Sequence, residues 1–357
     1  MNNPLSDKNY IKHLHAFRGF AILMIVAAHS WSFLLFMGDF DTMPAKGAVF
    51  AAAETLFHGS TLYFAVISGL LFGLVLRRKG WKAFFRSKVL NVLLPYALVS
   101  LFFLSAFWPM YVQWFEAEGM STNFVVAYLG GLLTGRIMLP FWYIPVLMLL
   151  YASTPFIDRL MRDGRLIWIA GIVVMLPFLI SRTTAPDFLS VQTYVYFLGA
   201  YTLGMLAGTY YEKTTQVISD FRNLLWVATV GCTLVVLLLF LNEYEPTRAY
   251  SQVQTLVYVQ KLSVTALVIH YLSRNEESLP RALFVLGSYA FAIYFLHFFM
   301  VSAVGYGVQA LGQGYANAWT ATAGGLVIFA VATSLSLLFS WLLKKLFRSK
   351  SRMIIGA

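Results

Sequence analysis

The chain is predicted to be an all-α polytopic membrane protein of about ten transmembrane helices, with both termini in the cytoplasm. Three observations predict this. Of 357 residues, 59% are hydrophobic and only 11% are charged, with a mean hydropathy of +0.72; a soluble domain carries roughly twice that charge. Apolar stretches of about 20 residues, each long enough to cross the bilayer core, recur along the sequence. Finally, the Lys and Arg residues alternate in density from one inter-span loop to the next, as the positive-inside rule requires.

Spans are predicted near 14–36, 48–76, 89–108, 141–157, 166–181, 191–211, 223–241, 253–272, 283–309 and 318–343. An even number places both ends on one side. The terminal segments 1–13 and 344–357 and the loops 77–88, 158–165, 212–222 and 273–281 hold 20 basic residues; the alternate loops hold 4. That asymmetry puts the termini in the cytoplasm and makes the net charge of +11 largely topological, with no nucleic-acid partner implied. The first apolar run is too long for a cleavable signal and is expected to stay as a span. The segment FVVAYLGGLLTG, 124–135, is apolar but short and rich in glycine. Counting it as a span would send Arg159, Arg162 and Arg165 outside, so it is expected to be a re-entrant or interfacial helix on the outer face. The loops leave no room for a second domain, and the one cysteine, Cys232, excludes an internal disulfide.

Ionisable residues inside spans mark sites by default, because burying them in hydrocarbon is costly. Arg18 and His29 lie eleven residues apart in HLHAFRGFAILMIVAAHSW, which places both on one helix face about 16 Å apart along the axis. A neutral imidazole near mid-membrane suits a general base, and an Arg toward the cytoplasm suits an anionic donor. Glu54 and His58 are i,i+4 neighbours near the outer end of the second span, either a simple intrahelical pair or part of a substrate mouth. Lys261 sits near the middle of its span and either pairs structurally or lines a site. His297, also near mid-span, is either a helix–helix hydrogen-bonding residue or part of the chemistry. His15 and His270 fall near cytoplasmic span ends, where they anchor. The loop RRKGWKAFFRSK carries six basic residues with interleaved aromatics. It reads either as a positive-inside loop or as a cradle for a nucleotide-phosphate donor held by Arg77, Arg78, Arg86 and Lys88.

Five segments in order are similar to acyltransferase family 3, the multi-pass membrane acyltransferases that modify sugars and cell-envelope polymers. LHAFRGFAILMIVAAH matches the family's Arg, ten residues, His opening at Arg18, Gly19 and His29. LYFAVISGLLFG matches an aromatic-to-Ser-Gly pattern at Phe64, Ser68 and Gly69. FFRSKVLNVLLPY carries a basic segment running into Pro95, FWYIPVL an aromatic pair at Trp142 and Tyr143, and GSYAFAIYFLHFF the Ser288, Tyr289, Tyr294 and His297 of the last signature. The sequence departs from the family at His15, where Asp is usual, and at Asn91 or Val92, where a second basic residue is expected.

The resemblance implies one membrane acyltransferase domain over 1–357 and O-acyl transfer from cytoplasmic acyl-CoA, acetyl-CoA in the simplest case, to a hydroxyl of a cell-envelope carbohydrate or lipid-linked glycan. It implies His29 and Arg18 as the catalytic pair, with His29 as general base or as a carrier of a short-lived acyl-imidazole. Arg77, Arg78, Arg86 and Lys88 would hold the donor phosphates. Ser68, Trp142, Tyr143 and His297 would line the substrate, joined by Glu54, His58 and Lys261 where their position inside spans marks a site. For Trp142 and Tyr143 an interfacial aromatic belt is an equally good reading. No resident cofactor or metal is expected, and the setting implied is a bacterial inner membrane. The alternatives from other classes are a translocator of a glycan or lipid-linked intermediate, with Lys261, Glu54 and His58 as its path, and a small-molecule acyltransferase.

Overall fold

The computed structural model describes residues 11–37, 46–183, 189–242, 251–310 and 317–357. Sixteen α-helices follow one another with no strand among the described residues. They are α1 (Lys12–Met37), α2 (Lys46–Phe57), α3 (Thr61–Leu74), α4 (Trp81–Lys88), α5 (Leu94–Ala106), α6 (Trp108–Ala117), α7 (Phe124–Thr134) and α8 (Tyr143–Arg162). The second half holds α9 (Ile167–Met175), α10 (Val191–Thr209), α11 (Tyr211–Asp220), α12 (Arg222–Leu241), α13 (Gln252–Arg274), α14 (Arg281–Ala310), α15 (Ala318–Phe347) and α16 (Ser351–Ile355). Of the ten predicted spans, eight correspond to helical stretches long and apolar enough to cross a membrane. The protein is an integral, multi-pass, all-α membrane protein.

The other two differ for physical reasons. The segment predicted as the fifth span holds the nine-residue α9, which passes into a 3₁₀ turn at Leu176–Phe178, where Pro177 has no N–H to continue the ladder. Helix α10 has 19 residues, but threonines, tyrosines and glycines dilute its apolar character. It is enclosed by α3, α8 and α9 and has little need of a lipid-facing surface. Helix α7, with 11 residues capped by the Asn123 side chain and by Gly135 at φ +74°, is too short to span, as expected for 124–135.

Two seams of small residues set the architecture. In α3 and α10, Gly69 and Gly73 face Gly204 and Gly208 so closely that a Cβ on Gly69 would lie 2.1 Å from the Tyr201 carbonyl oxygen and one on Gly204 2.2 Å from that of Val66. This is the small-xxx-small device, which lets two backbones touch where no hydrophobic drive separates helix from lipid. In α1 and α14 a Cβ on Gly19 would meet the Leu283 carbonyl at 2.2 Å, and one on Gly287 the His15 carbonyl at 2.2 Å. His15 crosses the same seam, its Nε2 within hydrogen-bond reach of the Phe284 carbonyl (3.1 Å) and Ser288 Oγ (2.9 Å). The contacts ascend together, from Gly19 with Leu283 to His29 with His297 and Phe33 with Tyr306, so α1 and α14 run parallel in a fixed register.

The second predicted span is broken. Gly59, at φ +73°, separates α2 from α3, and this backbone conformation strains any side chain. Carbonyls at the C-terminal end of α2 are left without helical donors.

Candidate active site

The register of α1 and α14 brings two imidazoles into contact at the centre of the bundle. The rings of His29 and His297 lie 5.2 Å apart, and Phe298 abuts His29 edge-on at 5.5 Å. His297 is fully buried, and His29 is half-buried. Nδ1 of His297 is within bonding distance of the carbonyl oxygens of Tyr294 (2.7 Å) and Ile293 (3.2 Å). Carbonyls only accept, so the network assigns the ring proton to Nδ1 and leaves a lone pair on Nε2. That Nε2 is buried and has no hydrogen-bond partner among the described residues. An unsatisfied buried acceptor of this kind costs about 1–3 kcal/mol. It is an acceptor, and it belongs to a residue whose ring packs against His29.

Arg18 occupies the same seam toward the N-terminal ends of the two helices, its guanidinium 5.7 Å from the centre of the Phe291 ring. The structure therefore lines up Arg18, Phe291, His297 and His29 along one interface. The sequence reading placed Arg18 and His29 on one face; the partner that completes the face, α14, comes from the fold.

Glu54, His58 and Lys261 form a different cluster, around the break between α2 and α3. His58 Nδ1 meets Glu54 Oε2 at 2.8 Å, and the other ring nitrogen contacts the Arg182 guanidinium. Arg182 is itself buried and donates from Nε to Gln254 Oε1 at 3.1 Å. Burial pulls the Arg182 guanidinium below its ordinary pKa, and the Glu54 carboxylate opposes that shift. Lys261, 2% exposed, donates from Nζ to the Leu56 carbonyl at 2.8 Å. Its neighbour Gln260 donates to the Thr55 carbonyl at 3.2 Å, and Ser60 Oγ donates to that of Phe57 at 2.6 Å. Lys261 therefore caps the C-terminal end of α2, where a cation is favourable. A structural pairing is one of its two sequence readings, and the Leu56 carbonyl is the partner seen.

The basic loop divides. Arg77 Nε lies 2.7 Å from Asp158 Oδ1, and Arg162 bonds the other carboxylate oxygen at 2.8 Å. Arg78 and Arg86 are exposed. Lys88 Nζ sits 4.2 Å from the centre of the Tyr151 ring, and Tyr151 OH reaches Ser68 Oγ at 3.4 Å, so Lys88 and Ser68 share a neighbourhood. A turn of π-helix, Val89–Leu93, follows Lys88, and Asn91 there bonds back to the Ser87 carbonyl at 2.8 Å. Trp142 and Tyr143 are buried against Phe197, with ring separations of 5.6 and 5.4 Å, and form no lipid-facing belt. The Tyr143 hydroxyl is also buried without a partner among the described residues, as are several threonine and serine hydroxyls elsewhere.

Sequence reasoning missed Arg182, Gln254, Asp158 and Tyr151. Asp158 carried a signal, the i,i+4 spacing to Arg162. Arg182 carried none, since it reads as one cation in a short loop and its burial depends on helices far away in sequence.

No curated protein and no solved structure matches the chain. A family model described as an acyltransferase domain does, over residues 11–345, from the residue before α1 to the last turns of α15. The match spans both helices of the His29–His297 seam, and this integral membrane protein belongs to acyltransferase family 3.

Proposed function

We propose that the protein transfers an acyl group, acetyl in the simplest case, from cytoplasmic acyl-CoA to a hydroxyl of a cell-envelope carbohydrate, with His29 as general base. The observation that carries this reading is the contact of His29 with a second imidazole whose lone pair is buried and unused. The acceptor hydroxyl gives its proton to His29 as its oxygen forms a bond to the thioester carbonyl carbon. The carbon–sulfur bond then breaks, and the CoA thiolate recovers a proton from His29. During the step His29 becomes cationic, and Nε2 of His297 is available to accept the N–H of that imidazolium, as the third member of a catalytic triad does. Arg18, on the donor side of the seam, orients the thioester arm, while Arg78, Arg86 and Lys88 meet its phosphates. The basic loops support cytoplasmic termini, with those residues on the side that holds acyl-CoA.

The translocator reading is less well supported. It needs Lys261, Glu54 and His58 as free path residues, and they are bonded to one another's surroundings. The test is consumption of labelled acetyl-CoA by the purified protein with glycan acceptors present. Wild type should consume the donor, and His29→Ala should lose about 10²–10⁴-fold in rate while still folding. A wild-type protein that binds no acyl-CoA and leaves several untouched would overturn the proposal.

A further inference from the structure

Outside the central site the structure holds a groove of about 370 Å³ between one end of α12 and one end of α13, lined by Arg222, Trp226, Leu267, His270, Tyr271 and Arg274, with Asn275 at its edge. No acidic side chain lines it. Arg222 forms no salt bridge with a carboxylate among the described residues, and Arg274 has only a 3.3 Å contact to Ser219 Oγ. Two exposed guanidinium groups thus border one open, mostly apolar hollow, where both can donate to a single anion.

What borders the groove points to the anion. Helix α12 is the most peripheral of the long helices, and Leu224, Val227, Val230, Leu234 and Leu238 line its uncovered side, each at least half exposed. Trp226 and Tyr271, 55% and 64% exposed, stand at the mouth, the amphipathic residues favoured at head-group level. The groove lies at the bundle end that carries the excess of basic residues, the end facing anionic lipid. A ligand with one phosphate beside two long hydrocarbon chains satisfies all of these features: the phosphate between the arginines and the chains along α12.

We propose that the groove between α12 and α13 binds the phosphate of an anionic membrane phospholipid. The bound lipid ties α12, which packs mainly on α13 and α2, to the rest of the bundle. The inference is independent of the transfer chemistry.

The experiment uses the full chain in nanodiscs of phosphatidylcholine with a minor fraction of phosphatidylglycerol, and counts retained lipids by native mass spectrometry. Wild type should retain phosphatidylglycerol in preference to phosphatidylcholine and melt at a higher temperature when it is present. The variant Arg222→Gln/Arg274→Gln should lose that preference, by about thirty-fold in affinity at about 1 kcal/mol per arginine. Lys350→Gln, at an exposed cation elsewhere, should keep it. Equal retention of the two lipids by wild type would overturn the proposal without reliance on any variant. So would undiminished phosphatidylglycerol binding by the double variant. Displacement of the lipid by inorganic phosphate or by acetyl-CoA would overturn it too, since the groove would then be a site for soluble phosphates.

Discussion

The α1–α14 seam and the α2–α3 break both bury ionisable side chains in mid-bundle, and they treat them in opposite ways. At the break, Glu54, His58, Arg182 and Gln254 are joined in sequence, and Lys261 satisfies a carbonyl that the break itself exposes. At the seam, His297 uses one nitrogen to fix its own ring and leaves the other buried without a partner, against His29. A buried charge with its partners in place is explained by the fold. A buried imidazole nitrogen that no described residue bonds, on a ring packed against a second imidazole, is open to a proton donor. The contrast separates residues that the sequence presents as equivalents: ionisable groups inside apolar spans.

The comparison can be broken at several points. The largest effect belongs to the seam: His29→Ala should cut acyl transfer by about 10²–10⁴-fold with the melting temperature close to wild type, read from donor turnover and a thermal-shift assay in parallel. The break should behave in reverse. Glu54→Gln removes the only carboxylate bonded to the His58–Arg182 chain among the described residues and should cost about 3–5 kcal/mol of stability, with turnover of the remaining folded fraction nearly unchanged. A turnover loss there without a stability loss would move Glu54 into the catalytic set. A Cβ on Gly204 would meet the Val66 carbonyl, so Gly204→Ala should cost about 1–3 kcal/mol by forcing α3 and α10 apart. The smallest effect is at the exposed cations: Arg78→Ala/Arg86→Ala should raise the donor KM by about three- to tenfold and leave kcat in place, because charges in contact with solvent are screened. An unchanged KM would remove them from the donor site.

Much of the fold was legible in the sequence because the membrane imposes it. Eight stretches near 20 residues or longer read directly as spans, and the short, glycine-bounded helix at 124–134 was recognisable by its length. The count of ten did not carry over intact, because α9 ends at a proline and α10 is enclosed by protein and is freer to be polar. The Arg18 and His29 face could be read from helical periodicity alone. Its contact with His297 could not, since it depends on the register that Gly19 and Gly287 set across more than 260 residues of chain. Likewise, the carbonyl that Lys261 caps is exposed by the break at Gly59, which a continuous span over 48–76 does not contain.

The central claim is that the two imidazoles act as one unit. A double-mutant cycle on acetyl-CoA turnover, with His29→Ala, His297→Ala and the combination, tests it most directly. Coupled residues give grossly non-additive losses, so the double variant should be little slower than His29→Ala alone. A double variant whose loss equals the product of the two single losses would show that His297 acts independently of His29, and would contradict the account.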